Sequence, residues 1–126
     1  FDSRDLELST LEEGVLDNAS YFGRIFARSG GLTDAAAQAM KELGIDFTIK
    51  PVVCDGIEAC RMALLKKSKN ALDGNFIAGT ACIGGCIGGA GCLTHGEKNK
   101  AEVDKYGREA LEKTIGDAVS VLNYEV

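Results

Sequence analysis

Residues 80–92, TACIGGCIGGAGC, place three cysteines and five glycines within thirteen positions. Thiolates are the ligands of iron–sulfur clusters and of structural zinc, and glycine lets backbone press closely against a bulky inorganic core. Cys82 and Cys86 form a C-x3-C pair with Gly84 and Gly85 inside it. Backbone N–H groups freed by such a loop can donate to cluster sulfurs and shift a potential. Other chemistries compete for the same residues. A structural zinc site needs four N/S ligands, and only Cys54, Cys60, Cys92 and His95 could complete one, at no familiar spacing. A disulfide across Cys82 and Cys86 would close a very small loop. A phosphate loop would carry a Lys-Ser/Thr pair, yet no lysine follows these glycines until Lys98. Away from the run, Cys60 reads as a small core residue on a helix face and Cys54 as the end of a strand. Cys92 is an extra thiol, and His95, the single histidine, stands at the start of a helix.

The elements around the run must hold it in place. Ser9 and Glu12 read as a capping box opening a helix over 10–19, after a loose stretch at 1–10. The segment YFGRIFARSGG, 21–31, suits a short strand or a buried turn ended by Gly30 and Gly31. Thr33 then caps a helix whose Ala36, Met40 and Leu43 share one face, with Gly44 as its stop. IDFTIKPVVC, 45–54, is rich in β-formers and reads as a strand that Pro51 turns into an edge or a kink. Asp55 caps the next helix, with Ile57, Cys60 and Leu64 on its buried face, and NFIAGTA, 75–81, is a second strand. Strand, helix, strand in this order predicts a right-handed βαβ unit with parallel strands. The glycine–cysteine run then leaves the carboxyl end of the second strand, where open α/β sheets build their sites. One long helix is expected over Glu97–Leu122, with Leu111, Ile115, Ala118 and Leu122 as its core stripe. The fold class is therefore α/β: a small parallel sheet flanked by helices, with a long C-terminal helix.

Bulk composition narrows the partners. At 126 residues, with 45% hydrophobic and 26% charged residues, the chain suits one globular domain over 1–126. A net charge of −5 disfavours nucleic acid and anionic membranes. No apolar run approaches the ~18 residues of a membrane span, and the polar start FDSRDLELST has no secretory h-region. An odd count of five cysteines points to thiols kept for chemistry or packing in a reducing cytoplasm.

ACIGGCIGGAG resembles the third signature motif of the iron-only (FeFe) hydrogenases, a pattern of the form M-A-C-P-G-G-C-x-x-G-G-G-Q-P. Upstream, GRIFARSGGLTDAAAQA, VVCDGIEACRMALLKK and NFIAGTAC resemble family segments in the family's order, so the likeness runs from about residue 21 to 92. The resemblance implies an H-cluster, a 4Fe–4S cubane joined through one cysteine to a diiron subcluster bearing CO, CN⁻ and a dithiolate bridge. Cys82 would ligate the cubane, and Cys86 would bridge it to the diiron unit. Phe26 would pack near the diiron unit, and Thr80 stands where the family has Met. Ile83 replaces Pro, and Cys92-Leu93 replaces Gln-Pro. The family's other two motifs, T-S-C-C-P and M-P-C-x-x-K, do not occur in this sequence. The chain is thus expected to be equivalent to the C-terminal part of a hydrogenase catalytic domain. It would take part in reversible H₂ production in the intact protein, with ferredoxin as electron partner, and alone it would be inactive and bind no cluster. An iron–sulfur assembly protein without the diiron unit, or a glycine-loop anion-binding module, are the alternative readings.

Overall fold

The structure is a computed structural model that describes residues 4–14, 17, 19–120 and 122. Helix α1 spans Tyr21–Arg24 and runs into a 3-10 turn at Ile25–Ala27, and α2 spans Gly31–Glu42. Strand β1 (Pro51–Asp55), helix α3 (Ile57–Ser68) and strand β2 (Phe76–Thr80) follow, then α4 (Glu97–Arg108) and α5 (Ile115–Ser120). The two strands pair in parallel, from Pro51 opposite Phe76 to Asp55 opposite Thr80, with α3 as the crossover. The expected βαβ unit and α/β class are borne out.

Strand β1 starts at Pro51 rather than Ile45, because proline has no N–H for the ladder and sits at the first strand position. Before it, Asn75 aligns the two strand entries. Its Oδ1 accepts from Lys50 N–H at 2.7 Å, and its Nδ2 donates to Thr48 C=O at 2.9 Å. Helix α3 packs on the sheet through Ala63 and the half-buried Cys60, whereas Ile57 and Leu64, expected inside, are exposed. Helix α2 begins at Gly31 with Gly30 as its N-cap, so Thr33 is a buried residue of the first turn and not the cap. Its buried residues are Gly31, Thr33 and Ala35, while Leu43 is 74% exposed.

In the segment 21–31, residues 21–27 are helical, Arg28 is an isolated bridge residue and 29–30 form a turn, and Ile25 is fully buried. Helix α4 crosses α1 at Gly107, where the ring of Tyr21 and the side chain of Ile25 leave no room for a larger residue. Arg24 secures this crossing. Its guanidinium stacks 4.5 Å from the Tyr106 ring, donates to Tyr106 C=O at 3.2 Å and pairs with Asp17 at 3.0 Å.

The expected helix over 97–122 is two helices. Glu42, at the end of α2, accepts N–H bonds from Ile115 and Gly116, each at 3.0 Å, and so starts a new helix there. Leu111 and Leu122 are exposed, and Ile115 and Ala118 are partly buried. Near the start, Leu8–Thr10 forms a 3-10 turn and residues 11–14 are not helical. Ser9 Oγ donates to the Glu7 carboxylate at 2.8 Å instead of closing a box with Glu12. The rest of the helix expected over 10–19 lies partly outside the described residues, at 15, 16 and 18.

Candidate functional site

Residues 81–92 leave β2 through two consecutive tight turns. The first closes when Gly85 N–H bonds Cys82 C=O at 3.0 Å, with Gly84 at φ 90° in its third position, the left-handed setting a type II turn requires. The second is a 3-10 turn over Cys86–Gly88, in which Gly88 N–H bonds Gly85 C=O and Gly89 N–H bonds Cys86 C=O, both at 3.0 Å. Gly88 is dictated by close approach: a Cβ there would lie 1.7 Å from the Ile83 carbonyl oxygen. Cys92 donates its N–H to Gly89 C=O at 3.1 Å and its thiol to Cys86 C=O at 3.2 Å.

Two outside elements grip these turns. Gly84 N–H donates to Asp55 Oδ1 at 2.7 Å, and Gly84 C=O accepts from Ser29 N–H at 2.9 Å. Thr80 Oγ1 donates to the same Asp55 oxygen at 3.3 Å. Gly85 forms an isolated antiparallel bridge with Arg28. Arg28 is in turn fixed from both flanks, by Asp104 of α4 at 2.6 Å and Asp34 of α2 at 2.8 Å. Burial alone would lower its pKa, but hydrogen bonds to Asp104, Asp34 and Tyr21 outweigh burial and hold the guanidinium above its ordinary value. The loop is therefore built on the ends of β1 and β2 and on a permanently charged, braced arginine.

Apart from Cys92, the thiols fall into two groups. Cys82 and Cys86 are exposed and free. Cys54 is buried, and Cys60 lies beside it, its thiol directed at Cys54 C=O and Thr80 C=O at 3.8 and 3.7 Å. Burial first, then the neighbouring Cys60, pushes the Cys54 thiol above its ordinary value. Of the other expected site residues, Phe26 is half exposed and Thr80 partly buried. Both line one cavity of about 160 Å³ with Arg28, Gly30 and Leu32, against the outer end of β2. His95 lies against the loop, its Nε2 3.0 Å from Gly89 C=O, and lines a cavity with Asp55, Gly84 and Gly88.

The donor set fits an iron–sulfur group in kind and supplies half of it in number. Two thiols on a braced glycine loop are suitable cluster ligands, and a cubane takes four. Among the described residues no three His, Cys, Asp or Glu side chains are grouped to hold a metal ion, so the remaining ligands would come from elsewhere. All five cysteines are free, which removes the disulfide reading. Phosphate is poorly served as well. The N–H groups of Gly84, Gly85, Gly88 and Gly89 are already engaged, the first by a carboxylate. The expectation that the loop frees backbone N–H groups for a cluster is therefore not met at these four residues, and Gly85 and Gly88 are required by close contact with the chain's own backbone.

The loop's anchors are not evident in the sequence. Asp55 reads there as the cap of α3, yet the N-cap of that helix is Gly56, at φ 94°, and no side chain caps it. Arg28 and Ser29 stand in a segment that reads only as apolar. The one signal for them is an arginine directly before Ser-Gly-Gly, at the end of a run that is apolar apart from Arg24.

Comparison with known proteins bears on the same residues. The family model described as "Iron only hydrogenase large subunit, C-terminal domain" matches residues 1–90, which includes Cys82, Cys86 and both anchors, and stops before Cys92 and His95. No curated protein matches the chain. Among the described residues no helix is long and apolar enough to cross a membrane. With 90 of 126 residues matched and two free thiols presented on the loop within that match, the chain belongs to the family of C-terminal domains of iron-only hydrogenase large subunits.

Proposed function

We propose that Cys82 and Cys86 supply two ligands of the active-site iron–sulfur cluster of an iron-only hydrogenase. The rest of the catalytic domain provides the others. The supporting observation is that both thiols are exposed and free on a loop fastened at Gly84 from two sides, within the residues that match the family. By motif position Cys82 would be a ligand of the cubane and Cys86 a ligand shared with the diiron unit. When bound, the cluster supplies the interconversion of protons, electrons and H₂.

The chain's own part is positional. The two turns fix the spacing of the thiols, and the braced Arg28–Gly85 bridge keeps the loop against the body of the protein. Phe26 and Thr80 line a cavity at β2 that neither cysteine lines, and their part in covering the group rests on family likeness. A ferredoxin as electron partner and a reducing cytoplasm belong to the same reading and rest on family likeness. With two ligands of four, the chain by itself is inactive in this reading.

The test uses the intact hydrogenase that includes this domain, reconstituted anaerobically with iron and sulfide and then with the diiron unit. Cys86→Ser is expected to abolish hydrogen evolution, and Cys82→Ser to remove the cubane's EPR signal. Wild-type hydrogen evolution in either variant would refute the ligand assignment.

A further inference from the structure

We propose that Asp55 is a positioning residue for the ligand pair: its carboxylate fixes the Gly84 N–H, and with it the spacing and direction of Cys82 and Cys86. This rests on reading those cysteines as cluster ligands. The carboxylate has no role in α3, whose N-terminus no side chain caps. Its Oδ1 instead accepts two bonds, from Gly84 N–H at 2.7 Å and from Thr80 Oγ1 at 3.3 Å. These donors bracket the first ligand. Thr80 lies two residues before Cys82, and Gly84 lies midway between Cys82 and Cys86.

The arrangement follows from register. Asp55 pairs with Thr80 across the parallel sheet, so the acceptor rides on the last rung of a rigid ladder. The short Gly84 bond joins an N–H to an ionised acceptor, the stronger class of hydrogen bond. On the other side Ser29 N–H holds Gly84 C=O at 2.9 Å. Without the carboxylate the first turn would be tethered on one side only, at the residue whose positive φ closes it. The element required at position 55 is an acceptor at the reach of Oδ1. Asparagine retains such an acceptor without the charge, alanine removes it, and glutamate keeps the charge but displaces the acceptor by one methylene.

Two measurements test this. In the metal-free chain, amide hydrogen exchange at Gly84 is followed by NMR for wild type, Asp55→Ala, Asp55→Asn and Asp55→Glu. Alanine and glutamate are expected to speed exchange at Gly84 about tenfold, with Ala63 in α3 unchanged, and asparagine to stay within about threefold of wild type. In the reconstituted intact hydrogenase, iron content and the cubane EPR line shape are expected to degrade in Asp55→Ala and Asp55→Glu and to recover in Asp55→Asn. Wild-type exchange at Gly84 in Asp55→Glu, or an asparagine variant as defective as alanine, would overturn the proposal. So would a loosened Gly84 that still loads a normal cubane. The ligand reading fails separately: a Cys82→Ser protein with a normal cubane would sink it and leave the exchange result intact.

Discussion

Gly85 is where the cysteine loop and the Arg28–Ser29 segment come closest, and its replacement by alanine gives the sharpest test of that contact. At φ 88° and ψ −156° the residue lies in a region that is nearly glycine-only, where a side chain costs about 1–3 kcal/mol. The added Cβ would also lie 2.5 Å from Ser29 N and 2.8 Å from Ala27 O. Both are backbone atoms, so no side chain can swing aside. Relief requires parting the two segments, which gives up the Ser29–Gly84 hydrogen bond, worth about 1 kcal/mol net. The sum is roughly 2–4 kcal/mol, a large share of the about 5–15 kcal/mol typical of a domain. Gly91→Ala is the control, since nothing lies within 4 Å of a Cβ there and its φ is not positive. Urea unfolding of the chain, followed by circular dichroism, should show the Gly85→Ala midpoint about 1–2 M below wild type. Gly91→Ala should remain within about 0.5 kcal/mol of wild type. Equal midpoints for the two variants would refute the close approach of the loop to residues 27–29.

Two further outcomes are expected. A limiting maleimide, quenched and read by peptide mass spectrometry, should modify Cys82 and Cys86 at least about tenfold faster than Cys54, which is buried and has its pKa raised; comparable labelling of Cys54 would contradict its placement under α3. Glu42 is held below its ordinary pKa by the hydrogen bond from Gln38, then by the Ile115 and Gly116 amides. A depressed carboxylate stabilises the fold above its unfolded value and loses that contribution as pH falls through its folded value. Amide protection at Ala118 and Val119 should therefore decline as pH falls below the ordinary glutamate range, and Glu42→Gln should flatten the decline. An unchanged pH profile in that variant would show that Glu42 does not secure α5.

The parallel βαβ core was legible because PVVC and FIAGT carry β-forming residues and bracket a helix-forming run, and local propensity and tertiary pairing agree there. The C-x3-C pair stood out through its spacing and its glycines, and the structure presents both thiols exposed on one glycine loop. The anchors were not, because Asp55 in front of G-I-E satisfies a local capping pattern. Its actual partner, Gly84, is 29 residues away, and only strand pairing reveals it. The division of the last helix was hidden for the same reason. Residues 97–122 keep helical periodicity, but the cap that starts α5 comes from Glu42, more than 70 residues upstream. The apolar stripes misled at Leu43, Ile57, Leu64 and Leu111, which are exposed because small residues such as Ala35, Ala63, Ala78 and Ala110 make the close contacts.

The bracing of the loop by Asp55 and Ser29 has a temporal consequence. Ser29, Asp55 and Gly84 are far apart in sequence, so this loop takes shape only after β1, β2 and the segment after α1 have met. The contacts that brace it, from Asp55, Ser29 and Arg28, all join segments distant in sequence. A metal group arriving at Cys82 and Cys86 would meet thiols that are already arranged, and the entropy of ordering them would have been lost during folding rather than at insertion. Substitutions at Arg28, Ser29 or Gly85 would then reduce the fraction of chains able to receive the group before they altered any chemistry performed on it.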